Sequence, residues 1–138
     1  MTQKKSSSDN IGYLIGNFAL NMLIVRDQMQ IYHWQTKSHA RHKASDSFVE
    51  NLTKNIDTFL EVIQGHRNTR IKFSSDSSSS SLKLSNITDE KAVKILQGFR
   101  KWLIDLSDFL LPNEMDLVNI RDDMLKDVDQ TLYLFTFQ

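Results

Sequence analysis

From Ile11 to Trp34 the apolar residues recur at steps of three and four, and no breaker residue ends the run. Ile11, Leu14, Ile15, Phe18, Met22, Val25, Met29 and Tyr32 form one stripe. That period belongs to an α-helix, whereas a half-buried strand would alternate. A second set, Leu20, Leu23, Ile24, Ile31 and Trp34, lies on another side. Two apolar faces suit a helix that packs inside a bundle and also against something else, such as a second subunit. The same constraint holds along the chain, because its 138 residues include one proline, Pro112, and four glycines. So few breakers predict long helices and little else.

Residues 39–65 repeat the pattern through Phe48, Val49, Leu52, Ile56, Phe59, Leu60 and Ile63, with Gly65 as the expected stop. The short polar link QTKSHAR predicts that these first two helices are antiparallel neighbours. Residues 71–87 read as a loop, since its serine run offers no apolar area to offset the entropy of ordering it. Extended, a connection of about 18 residues reaches roughly 60 Å, enough to cross the length of a bundle. The third helix is expected from about Thr88, with Asp89 and Glu90 in its first turn and a stripe of Ala92, Leu96, Phe99, Leu103, Leu106 and Leu110. Pro112 and Asn113 break it. Asn113 then caps a fourth helix, with Asp116 three residues on, which carries Leu117, Val118, Met124, Leu125, Val128, Leu132 and Phe135. Short, long and short connections describe one all-α domain over residues 1–138, with a tail at 1–10. The expected fold is a four-helix bundle with a long Ser-rich crossover loop between helices two and three, the ferritin-like arrangement. An up-down-up-down bundle is the alternative.

Charge excludes several functions. Lysine plus arginine equals aspartate plus glutamate at 17 each, so no strong field attracts nucleic acid. Lys4 and Lys5 in the serine-bearing tail are too few, and lack interleaved aromatics, to argue for a DNA-binding arm. Cysteine is absent, which removes disulfide and thiolate chemistry and fits a reducing intracellular compartment. MTQKKSSSDN has no secretory character, and no apolar run of about 18 residues suggests a membrane span.

Against this neutral background, YHWQTKSHARHKASD at residues 32–46 holds three of the four histidines, His33, His39 and His42. Their acidic counterparts lie on the second helix. At about 100° per residue, with Asp46 at zero, His42 falls near −40°, Asp57 near 20°, Glu50 near 40° and Glu61 near 60°. The apolar stripe centres near 260° by the same geometry, so these residues share a non-core side. His42 and Asp57 are nevertheless about 22 Å apart along the axis, too far for one ion. The pairs 42/61 and 46/57, however, share a midpoint at Asn51 and Leu52. Two copies of the helix crossing antiparallel there would set His42 and Asp46 of one chain against Glu61 and Asp57 of the other. His33 would reach the same end through the short turn. Each of two equivalent sites would then gather two imidazoles and three carboxylates. Such a nitrogen–oxygen set suits Fe(II), and Mn(II) or Zn(II) less specifically. The site would be di-iron or mononuclear, and two ferrous ions held there could each give one electron to peroxide or oxygen.

These residues also carry a resemblance. HW at 33–34, His42, Asp46 four residues on, and the DTxxE of Asp57 and Glu61 followed by Gly65 resemble the Dps family of mini-ferritins. Trp34 matches the aromatic beside that family's first histidine. The resemblance implies a ferroxidase centre at a two-fold interface, with His33, His42 and Asp46 from one subunit and Asp57 and Glu61 from the other. It further implies Fe(II) oxidation to Fe(III), preferentially by peroxide, with mineral storage in a dodecameric shell assembled from homodimers. The chain departs from the family in its shorter turn between the histidines and in the serine tract, where the family has a short helix. His39 is therefore the alternative second histidine, although the four- and fifteen-residue spacings favour His42. The chain is also similar to an uncharacterised family of small proteins from large DNA viruses of eukaryotes, which implies an infected-cell cytoplasm or virion. A competing expectation follows from this, a non-enzymatic viral structural or interaction bundle that retains the ferritin-like dimer, its acids and histidines being relics or an interfacial ion-pair network. A bundle that binds zinc only for assembly lies between the two. Asp122, Asp123, Asp127 and Asp129 read as a solvated face, His66 as a helix-terminal cation, and LYLFTF as a segment that packs on the bundle or a neighbour.

Overall fold

The computed structural model describes residues 7–74 and 84–137. Lys4 and Lys5 of the expected tail, and the serine run of the expected loop, lie outside the described residues. Four α-helices account for most of the rest: α1 (Ser7–Gln35), α2 (His39–Arg67), α3 (Asp89–Asp105) and α4 (Met115–Leu134). A short 3-10 helix, Leu106–Phe109, follows α3, and no strand occurs among the described residues. Among those residues, no helix is long and apolar enough to cross a membrane.

The helix ends show which local forces decide. α1 begins at Ser7, ahead of its apolar stripe, with Asp9 in the favourable first turn and paired to Lys72. Ser38 caps α2 by accepting from the Arg41 N–H at 3.2 Å. α2 runs past Gly65 to Arg67. The left-handed position that ends it is Asn68, at φ 49°, whose N–H bonds the Gln64 carbonyl. Asparagine is the non-glycine residue that best tolerates this conformation. α3 starts where expected, and Thr88 caps it by accepting from Lys91 N–H at 3.1 Å. The expected Asn113 cap does not form. Glu114 occupies the N-cap without a side-chain cap bond, because its carboxylate turns inward to other partners.

The predicted stripes form the core. Ile15, Met22, Phe59, Leu96, Leu103, Leu117 and Val128 are fully buried, each worth about 1.5–3 kcal/mol for its removal from water. Buried Phe18 lies edge-on to Phe59, Trp102 and Phe109 at 6.4, 6.2 and 6.1 Å. The second apolar set of α1 is half-buried except for Trp34, which is exposed. Of the terminal aromatics, Phe135 is buried, whereas Tyr133 and Phe137 are exposed.

α1 packs against α2 and α3, and α4 packs against the same two helices. Hydrogen bonds identify the ends. At one end Tyr32 (α1), Arg41 (α2), Asp89 (α3) and Phe135 (after α4) meet. At the other, Arg67 of α2 reaches the Phe109 carbonyl and Glu114. α2 and α3 therefore run in the same direction. The chain between them is bonded at both ends of α1: Lys72 N–H to the Gly12 carbonyl at 3.0 Å, and Ile87 N–H to Gln35 Oε1 at 2.8 Å.

Candidate functional site

The last turn of α1 and the first turn of α2 bring His33 and His42 together. Their rings stack with centroids 3.9 Å apart and planes 18° from parallel. Each ring is tied to the other residue's backbone, His33 Nδ1 to the His42 carbonyl at 2.7 Å and His42 Nδ1 to the His33 carbonyl at 2.9 Å. A carbonyl oxygen only accepts, so each Nδ1 carries the proton. In the neutral rings the lone pairs then sit on the two Nε2 atoms. This is the tautomer that metal-binding imidazoles hold when a backbone carbonyl supports them from behind. Ser45, fully buried, lies 3.3 Å from His33 Nδ1 and donates to the His42 carbonyl at 3.1 Å, which bolts the pair to the bundle.

The local fold follows from the short link. Thr36 N–H bonds the Tyr32 carbonyl at 2.8 Å, and Ser38 caps the next helix, so the reversal takes three residues. His33 belongs to the final turn of α1, where carbonyls lack helical partners. His42 Nδ1–H satisfies the one that His33 leaves.

Asp46 stands one turn beyond His42 on α2 and is exposed. Asp57 and Glu61 are also exposed, further along the same outward strip. Among the described residues these three carboxylates enter no ion pair, whereas Glu50 meets Lys54 at 3.6 Å. No group of three or more His, Cys, Asp or Glu side chains gathers within the chain among the described residues. One chain thus assembles the two imidazoles and holds the distal acid pair apart from them. His39, the first residue of α2, is exposed.

Two polar clusters were not foreseen from the sequence. Beside the histidines, but facing the core, Tyr32 donates to Asp89 Oδ1 at 2.7 Å and accepts from Arg41 at 3.0 Å. Burial pushes the Tyr32 hydroxyl above its usual range. Arg41 also donates to the Asp89 and Phe135 carbonyls, and its guanidinium lies 4.8 Å over the Phe135 ring. At the far end, Arg67 grips buried Glu114 with two bonds of 2.9 and 2.8 Å, and His66 Nε2 lies 3.6 Å from the same carboxylate. Asp127, expected in a solvated face, is half-buried opposite Asn55, and burial raises its pKa.

No curated protein matches the chain, and no solved structure does. The model of a family described as a family of unknown function, DUF5856, matches residues 33–135, a span that opens on His33 and contains Asp46, Asp57 and Glu61. The chain belongs to that family.

Proposed function

We propose that the protein is a Dps-like ferroxidase that binds Fe(II) at a two-fold interface between copies of α2. The observation that carries this reading is the His33–His42 pair, fixed by backbone carbonyls in the tautomer that leaves both Nε2 atoms as donors. Three further features support it. Asp46, Asp57 and Glu61 are exposed and unpaired within the chain, as donors shared with a second chain must be. The 42/61 and 46/57 pairs share a midpoint on one continuous helix. The packing order, with α2 and α3 parallel, is the one a ferritin-like bundle uses.

In this reading His33, His42 and Asp46 of one chain meet Asp57 and Glu61 of the other. The donor set, imidazole and carboxylate without sulfur, fits ferrous iron, and Mn or Zn as substitutes. Fe(II) is the substrate. Two ferrous ions each lose one electron, and peroxide takes up both with two protons to leave as two waters. The residues hold the ions, and the acids offset their positive charge. Homodimers are the minimal unit, and a dodecameric shell is the larger assembly.

The test is anaerobic loading with Fe(II), then addition of peroxide while ferric absorbance is followed. Wild type should oxidise iron faster than buffer. An Asp57→Ala/Glu61→Ala variant should lose at least about tenfold in metal affinity and oxidation rate. A second reading, a non-enzymatic helical interaction module, is supported by the Glu50–Lys54 pair, since such pairing marks solvated helix faces. It stands if wild type and variant both match buffer.

A further inference from the structure

We propose that divalent cations gate the pairing of two chains through α2, because the bare face repels its own copy. The inference rests on the metal-site reading above and adds its regulation.

The outward strip of α2 carries Lys43, Asp46, Glu50, Lys54, Asp57 and Glu61, all exposed. Four carboxylates face two ammonium groups, and Lys54 is already engaged by Glu50 at 3.6 Å. The apolar neighbours Val49 and Leu60 are partly buried and pack inward on the core. The strip therefore lacks the apolar centre that holds lasting interfaces together.

Antiparallel pairing about Asn51 and Leu52 makes the problem sharper. It sets Asp46 against Asp57 of the second copy and brings Glu61 of that copy to the same place, at both ends of the crossing. Three carboxylates then converge with a single ammonium, Lys43, so each end keeps an excess of negative charge where water is displaced. Like charges so placed disfavour association. The two Nε2 atoms of the stacked His33–His42 pair supply nitrogen donors beside these acids, and neutral imidazole ligands add no negative charge of their own. A bound cation reverses the sign of the local field, and the repelling acids become bridging ligands. Binding and pairing are then one linked equilibrium: metal tightens the dimer, and dimerisation tightens metal by the same factor.

The experiment measures mass and bound metal on the same samples of full chain. Light scattering is run at one protein concentration in EDTA, then with Zn(II), Mn(II), or Fe(II) without oxygen, and metal content is counted after desalting. Wild type should scatter as one 16.0 kDa chain in EDTA and as a dimer or larger assembly with metal. The dimer dissociation constant should tighten by at least about a hundredfold, the upper range of ordinary linkage. An Asp46→Asn/Asp57→Asn variant keeps side-chain shape and should show no metal-dependent rise in mass. Circular dichroism checks that it remains helical. A dimer in EDTA with the same mass after metal binds would overturn gating and leave the metal site standing. Metal bound to a single chain would overturn gating together with the shared interface. No bound metal would remove the metal reading itself. A metal-driven rise in the amide variant equal to that of wild type would place the cation elsewhere and also overturn the proposal.

Discussion

Glu114 is a buried carboxylate in the connection between two helices, and one arginine makes that tolerable. Arg67 grips both oxygens and also donates to the Phe109 carbonyl at 2.7 Å, while Leu111 N–H bonds Oε1 at 2.7 Å. The Arg67 hydrogen bond holds the Glu114 carboxyl below its ordinary value, outweighing the burial that acts the other way. Removing Arg67 leaves that charge uncompensated in the interior. Arg67→Met should therefore lose about 3–5 kcal/mol in urea unfolding at pH 7. Glu114→Gln should lose less, about 1–3 kcal/mol, since the amide retains some hydrogen bonds. The pH sign follows from the lowered pKa. The unfolded state binds the proton more readily, so the contribution is complete above the ordinary value of 4.5 and fades as pH falls toward the lower folded value. An acid titration of stability should show a shallower slope below pH 4.5 in Glu114→Gln than in wild type. An unchanged slope would assign the acid sensitivity to other groups.

At the scale of elements, the start of α1 is shaped by what crosses it. A Cβ on Gly12 would lie 2.7 Å from the Arg70 carbonyl oxygen, and one on Gly16 would overlap the Lys72 carbonyl. Both obstacles are backbone, which cannot rotate aside. Gly98, in the exposed middle of α3, has nothing within 4 Å of such a Cβ. The same substitution should thus have opposite signs. Gly98→Ala should gain about 0.5–1 kcal/mol from helix propensity alone. Gly16→Ala should lose about 1–3 kcal/mol as the 70–73 segment is pushed off the helix. Paired thermal melts decide it, and a stabilised Gly16→Ala would mean that the segment does not lie there. The apolar stripes announced all four helices, because burial of one face dictates their period. Asp89 and Glu90 announced the start of α3 near Thr88, because acids favour a first turn. The end of α2 and the cap of α4 differ from what the local pattern predicts. Gly65 has no need of its freedom, since Asn68 takes the left-handed turn. Asn113 yields to Glu114, whose partner Arg67 lies 47 residues away. Local pattern cannot report a partner that the fold supplies.

For the whole molecule, legibility divides in the same way. The short link foretold that His33 and His42 would meet, and the helical rise foretold that Asp57 and Glu61 would stand apart from them. The carbonyl lock on the imidazoles was not legible, because it depends on where two helix ends are set by the core. The two polar clamps were equally hidden. Arg41 joins Tyr32, Asp89 and Phe135 at one end of the bundle, and Arg67 joins Glu114 and Phe109 at the other. Along α2 they are about 39 Å apart at the helical rise, and they share no partner. If one core couples the four helices into a single cooperative unit, each clamp contributes to the same unfolding transition. Arg41→Ala should lose about 2–3 kcal/mol, from hydrogen bonds to Tyr32 and two carbonyls and from its place over Phe135. Its loss and that of Arg67→Met should then add to within about 0.5 kcal/mol in the double variant, as distant sites do. The urea dependence should stay unchanged, because the same surface is exposed on unfolding. A second transition, or a double variant no less stable than the weaker single one, would show that the two ends come apart independently.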